Sequence, residues 1–409
     1  MRATTVLRTL ARLNDQRTRV TGFEFDEAGT TLFLDVKPTT QNARCGVCQR
    51  ESPGYDERSR GWRHTDLGEL RLELRYDLRR ADCPAHGPTA EWVPWAQHGA
   101  WHTTDFEDLT GYCAQQMNAT QVGMLMRVSW RTVGKIVRRV IARKMPGDRL
   151  DGLRRIGIDE LSYRKNREFV TVVVDHDRKC VVWTAPGKNG ETVAKFFAEL
   201  GAERTAQLEV VTMDMSAAYI SAVQAAAPHA QIVFDRFHVQ RLAHDALDEV
   251  RRTLAHELRA AGEDDKAFKN IRYQLHKRPW NLSLDEAKRL ADSVNSNAGL
   301  FRGHMLKENL AAILDGTDAA FAGKRLDEWC DWAARSRLAP FVRVGRTIRK
   351  HIASIVAYVK TKLNNGRTEG LNGKIRVITR RAFGFHCVFS LIAYITLCCG
   401  GLTLSPRHR

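Results

Sequence analysis

After Asp331 the chain carries a single carboxylate side chain, Glu369, and around it stand Arg367, Lys374, Arg376, Arg380 and Arg381. A surface shaped to hold a polyanion has no electrostatic use for an acid, which repels phosphates unless a cation stands between them. A carboxylate kept in a basic field therefore points to a metal-bound acid facing nucleic acid. The plain alternative is one exposed Glu on a helix. Two further acids have a suggestive setting, because Asp159 closes the apolar run 155–159 and Asp214 follows the apolar run 208–213. If those runs are neighbouring strands, their ends bring the two aspartates together, and a helix across the sheet can present Glu369. Three converging carboxylates would hold two Mg²⁺ ions, with Mn²⁺ able to substitute, since oxygen ligands select these ions over zinc. Such a pair serves in-line phosphoryl displacement.

A second constellation has different chemistry. Cys45 and Cys48 form a CxxC pair, and Cys83 and His86 form a CxxH pair. Each pair closes a tight knuckle, and two knuckles supply four nitrogen and sulfur ligands for a tetrahedral structural Zn²⁺. His64 is the alternative to His86 as fourth ligand, with His98 and His102 behind it.

The elements that must position these residues follow from periodicity. Residues 20–25, 31–36 and 70–76 read as strands around the cysteine knuckles. Residues 105–117 and 120–126 read as helices, and Ser129 caps a third over 130–144. Val133, Ile136, Val137, Val140 and Ile141 form the apolar stripe of that third helix. Arg131, Lys135, Arg138 and Arg139 lie largely off it, behind the leading Trp130. Short helices followed by a basic helix suggest a helix-turn-helix; the alternative is a packing module with a solvated basic face. From 154 onward three strands come in hairpin order (155–159, 169–175, 180–183). Helix 191–200, strand 208–213, helix 216–227 and strand 231–234 follow. That alternation predicts a mixed α/β sheet. Residues 239–340 are charged and helical, with Trp280, Trp329 and Trp332 expected mainly in the core. The uncharged stretch 382–404 is expected to be a buried helix rather than a membrane span.

The expected organisation is multidomain α+β. A zinc-ribbon domain spans 1–100, and a helix-turn-helix domain with its linker spans 101–150. The first part of a catalytic domain covers 151–240, a helical insertion 241–340, and the last part of the catalytic domain 341–409. The 409 residues carry a formal charge of +17, spread along the chain, which favours an extended polyanion such as nucleic acid over a membrane. Nine cysteines without a secretory leader suit a reducing, cytoplasmic setting with thiols free or metal-bound.

Several segments resemble one family. They are Ile158-Asp159-Glu160; Met213-Asp214-Met215; Asp235 with Phe237, His238 and Val239; and Thr368-Glu369-Gly370 with Leu371, Asn372 and Lys374. Together they resemble DDE transposases of bacterial insertion sequences, most nearly the ISL-three family. CxxH in the second knuckle departs from the family's usual CxxC. The resemblance implies an RNase-H-like catalytic domain, with Asp159, Asp214 and Glu369 as the catalytic metal ligands. It makes Glu160, Asp235 and His238 supporting or substrate-positioning residues, although Asp235 could simply cap the helix that follows. Arg367, Asn372, Lys374, Arg376 and Arg380 become candidates for holding the DNA backbone. The implied activity is binding of terminal inverted repeats and metal-dependent cleavage and transfer of double-stranded DNA, by a homodimer at the nucleoid of a bacterial cell. The competing readings are a catalytically silent, transposase-derived DNA-binding regulator and a nuclease acting on RNA.

Overall fold

The computed structural model describes residues 3–13, 16–145, 147–164, 168–264, 266–363 and 366–406; the side chains at 267 and 366–369 also lie outside the description. The chain divides into two units. One comprises Met1–Pro146, Ile378–Cys398 and Leu402–Arg409, and the other Gly147–Val377 and Cys399–Gly401.

The first unit opens with helix α1 (Ala3–Leu10) and strands β1 (Thr18–Phe25), β2 (Thr31–Pro38), β3 (Gly54–Arg63), β4 (Arg71–Cys83) and β5 (Gly87–Ala90). Their order is β1-β2-β4-β3, with β5 on the far end of β4. Leu32, Leu34 and Val36 of β2 and Leu72, Leu74 and Leu78 of β4 alternate into a core closed by Trp62 and Trp95. The expected strand at 70–76 is thus the start of a longer β4, which runs straight to Cys83 and delivers it to the metal knuckle. Three helices follow: α2 (Thr104–Gln116), α3 (Ala119–Met126) and α4 (Trp130–Lys144). Asn118 and Gln121 form a reciprocal capping box at α3, and the Ser129 hydroxyl caps α4. Val133, Ile136, Val137 and Val140 are fully buried, so the apolar stripe of α4 faces α2 and α3.

The second unit contains β6 (Arg155–Arg164), β7 (Glu168–Asp175), β8 (Cys180–Pro186), α5 (Gly190–Leu200), α6 (Ala202–Thr205), β9 (Val210–Met213), α7 (Ala217–Ala226) and β10 (Gln231–Phe234). The sheet order is β10-β9-β6-β7-β8. The strands β6, β7 and β8 are antiparallel neighbours, while β9 and β10 run parallel to β6. A helical array follows: α8 (Arg236–Ala260), α9 (Lys266–Asn270), α10 (Arg272–His276), α11 (Leu284–Asn295), α12 (Ala298–Asp315), α13 (Ala319–Arg335), α14 (Ala339–Lys350) and α15 (Ile352–Thr361). Sheet and array share one hydrophobic core, from Ile156 and Val211 through Leu247 to Trp329 and Ile355. Trp329 is core, its indole donating to Leu306 O at 2.9 Å, whereas Trp280 is exposed. Sheet and array therefore pack around a common core.

Helix α16 (Gly366–Arg381) begins in the second unit and ends in the first, and α17 (Val388–Cys399) follows it. The apolar C-terminal helix, expected to finish the catalytic domain, groups instead with the N-terminal unit. There Gln115 Nε2 donates to Leu397 O at 2.8 Å and to Leu402 O at 3.0 Å. Leu391, Tyr394, Ile395 and Leu397 are buried. Among the described residues no helix is long and apolar enough to cross a membrane.

Candidate active site and metal centre

The cysteine pairs converge as their spacing requires. The ligand atoms of Cys45, Cys48, Cys83 and His86 all lie within 4.8 Å of one another. Cys48 Sγ and Cys83 Sγ are 3.7 Å apart, and His86 Nδ1 lies 3.6 Å from both Cys45 Sγ and Cys83 Sγ. A tetrahedron with Zn–S near 2.3 Å and Zn–N near 2.05 Å has edges of about 3.8 Å (S to S) and about 3.6 Å (S to N). The donor spacing therefore fits zinc, with His86 as fourth ligand through Nδ1. The hydrogen bond to His86, aided by the Ala85 amide, holds the Cys83 thiol down to about 6, which favours the thiolate a metal needs. The alternatives to His86 are occupied elsewhere. His64 is buried between Thr103 Oγ1 (2.7 Å) and Ala11 O (2.8 Å), and His102 stacks on Phe106. His98 packs on the first knuckle: a Cβ on Gly46 would meet its Nδ1 at 2.2 Å and Ala90 O at 2.4 Å, so only glycine fits.

The carboxylate site is built on strand geometry. The parallel ladder between β6 and β9 pairs Arg155 with Val210, Ile156 with Val211 and Gly157 with Thr212, and goes no further. Asp159 lies just past that ladder, and Asp214 follows the last residue of β9. Asp159 does not end its strand as expected. The β7 partner continues to Arg164, with Asp159 opposite Val172, so the carboxylate sits mid-strand where one edge of β6 has lost its neighbour. Burial pushes the Asp159 carboxyl above its ordinary value, and the charge of Asp214 adds to this. The Glu160 amide, His238 and Asn372 pull the other way. Burial likewise raises Glu160, reinforced by Asp214 and Asp159 and opposed by a hydrogen bond to Tyr219. Tyr219 is itself held against Thr171 Oγ1 at 3.1 Å.

Asp235 is 1 % exposed, and its amide donates to Met213 O at 3.1 Å, which fixes it beside the Asp214 strand end. It occupies the N-cap position of α8 but makes no side-chain cap hydrogen bond. His238 Nε2 stands 3.9 Å from Asp235 Oδ2. Asn372, expected on the DNA backbone, is only 3 % exposed, and its Nδ2 donates to Asp159 Oδ2 at 2.6 Å. It therefore positions Asp159, and a buried amide has no surface left for a phosphate. Lys374, Arg376 and Arg380 are exposed on α16. Glu369 lies on the first turn of α16, with its side chain, like that of Arg367, outside the described residues. Asn372, Tyr219 and Thr171 are the contributors that sequence reasoning missed in these roles; for Asn372 the signal was its place one helical turn after Glu369.

The comparisons with known proteins agree with this layout. A family model described as a transposase, DDE_Tnp_ISL3, matches residues 156–395. A second, described as the zinc-finger of transposase IS204/IS1001/IS1096/IS1165, matches residues 41–86. The chain belongs to the ISL3 family of transposases. The transposase for insertion sequence element IS1557 of Mycobacterium tuberculosis is 37 % identical over 425 residues, covering 96 % of each chain. That for IS1001 of Bordetella parapertussis is 27 % identical over 364 residues, covering 88 % of this chain and 90 % of the relative. Transposases of this family are DNA-cleaving and DNA-transferring enzymes. On α4, Arg131, Lys135 and Arg138 are exposed and Trp130 is partly so. Arg139 is not available in the same way, because it ion-pairs at 2.6 Å with Glu107, whose side chain is 0 % exposed.

Proposed function

We propose that the chain binds the terminal inverted repeats of an insertion sequence and cuts and rejoins DNA by a DDE-type mechanism. Asp159, Asp214 and Glu369 would hold a pair of Mg²⁺ or Mn²⁺ ions. The observation that carries this reading is the Asn372–Asp159 hydrogen bond. It brings α16 to the two aspartates, and Glu369 precedes Asn372 by three residues, one turn of the same helix. The strand order β10-β9-β6-β7-β8, three antiparallel strands flanked by two parallel ones, supports an RNase-H-like domain, and the capped α3–α4 pair supports a helix-turn-helix. The donor set fits the ions: oxygens only, with the charge of Asp159 disfavoured by burial and by the neighbouring Asp214, a cost that a cation offsets.

When bound, such a pair activates the attacking oxygen and stabilises the leaving one. The protein's own part is orientation. Asn372 Nδ2 and the Glu160 amide fix both oxygens of Asp159, and the Ser216 amide holds Asp214 Oδ1 at 3.1 Å. Trp130, Arg131, Lys135 and Arg138 would face the DNA ends, with Lys374, Arg376 and Arg380 on the backbone. Water attacks the scissile phosphorus, the P–O3′ bond breaks, and the freed 3′-hydroxyl attacks target DNA at the same site. Two ends have to be joined to one target, which calls for a homodimer on DNA.

The test incubates purified protein with its flanking DNA ends and Mg²⁺ beside Asp159→Asn and Glu369→Gln. The expected result is end cleavage by the wild type alone, with end binding retained by both variants. Undiminished cleavage by either variant overturns the assignment.

A further inference from the structure

A cavity of about 600 Å³ opens in the first unit between α3, the first half of α4 and the residues that join α16 to α17. Arg131, Lys135 and Arg138 line one side, and among its lining residues there is no carboxylate. Five aromatic side chains, Trp130, Phe383, Phe385, His386 and Tyr394, stand among small and polar residues in the remaining walls. Trp130 and His386 lie nearly parallel, with ring centroids 5.1 Å apart and an interplanar angle of 23°. Phe383 is 94 % exposed, and Phe385 and Tyr394 form the adjoining wall. Tyr394 contributes its ring to the wall and packs against Phe385, with ring centroids 5.5 Å apart.

Flat aromatic faces and a cationic rim together match one chemistry. We infer that this cavity takes an unstacked nucleotide of DNA, the base against Phe383, Phe385 and the Trp130–His386 pair, the phosphate on Arg131, Lys135 and Arg138. A paired, stacked base cannot enter a cavity, whereas a base in a single strand or extruded from a duplex presents both its faces and its polar edge. An apolar peptide would fill the aromatic wall but leave three cations unanswered. The inference rests on the DNA-binding reading of this unit and adds the residues that join α16 to α17 to its DNA surface. Cutting one strand favours such an occupant, because a nucleotide beside a nick leaves the stack more readily than one in an intact duplex.

Two variants test it with little risk to the fold. A Cβ added at Gly134, which lines the cavity, meets nothing within 4 Å, so the side chain of Gly134→Leu starts into open space and narrows the cavity. Phe383→Ala removes an exposed ring. Binding of a fluorescent single-stranded oligothymidylate to the full chain is measured by anisotropy, beside a duplex carrying the element's end. Each variant is expected to weaken single-strand binding by about five- to 150-fold, the range for losing one base-stacking contact. Duplex binding should change much less. Retention of single-strand binding within about twofold in both variants overturns the proposal while leaving the transposase reading intact, as does wild-type binding of duplex alone. Self-association lost in the same variants would assign the cavity to a protein partner instead. Failure of the wild type to bind either DNA would bring down the DNA-binding reading of the unit and this proposal with it.

Discussion

Asn372 shows how much a single side chain can organise. Its amide reaches from α16 to Asp159 on β6, 213 positions away in sequence, and it is buried where its helix neighbours Lys374 and Arg376 are exposed. Residues that orient a metal-binding carboxylate typically matter 10- to 100-fold in activity or metal affinity. Asn372→Ala is therefore expected to slow end cleavage by about 10- to 100-fold while leaving duplex binding unchanged. Higher Mg²⁺ should recover part of the loss. A cleavage time course over a Mg²⁺ series, beside a gel-shift titration, checks this. Weakened binding with normal cleavage would return Asn372 to the DNA backbone.

Helix α4 divides its basic residues between two duties. Arg138 faces outward, while Arg139 reaches Glu107 on α2 and Arg143 bonds Asp108 at 2.6 Å. Removing Arg139 strands an acid that has no water to turn to, which costs about 3 kcal/mol. Arg143, whose guanidinium stands 3.9 Å from Glu107, tempers the loss. Arg139→Ala should lower the thermal stability of the first unit measurably, and Arg138→Ala should weaken DNA binding with no change in melting. Equal melting temperatures for the two variants would contradict the division. Sequence patterning reached the helix and its caps because both are local: Ser129 precedes an apolar stripe of period 3.6. It could not separate Arg138 from Arg139, since both lie off that stripe and the deciding partner, Glu107, is 32 residues away. The same limit explains the strands. Period-two alternation marked β2 and the start of β4. The polar β3 (Gly54–Arg63) and the short β5, held in place by β4, lacked any such signal. The zinc ligands were legible because two such pairs are rare at that spacing. Asn372 was not, because an Asn beside a basic run looks like a phosphate contact until the fold buries it.

At the scale of the molecule, the second unit's helical array carries a titratable liability. His244 on α8 meets His276 on α10 edge to face, with ring centroids 5.0 Å apart. Burial first, then the charges of Lys307, His276 and Arg278, hold His244 down to about 4 from an ordinary 6.5. Because its folded value lies below the unfolded one, the unfolded chain takes the proton first. Stability is intact above about 6.5 and falls as pH drops toward about 4. Urea unfolding at about pH 7.5 and about pH 5 should differ, and His244→Gln should shrink the difference; an unchanged difference removes His244 from the account. The chain's path has a consequence in time as well. The first unit is completed by residues made long after Gln115, since Gln115 and its partner Leu397 are 282 residues apart. At about 5 to 20 residues per second, synthesis leaves that unit without its closing helix for roughly 15 to 60 seconds. A chain ending at Val377 should therefore have a less stable N-terminal unit than the full chain, measured by thermal melting. An interrupted message would thus release a chain whose N-terminal unit lacks the helix that completes it.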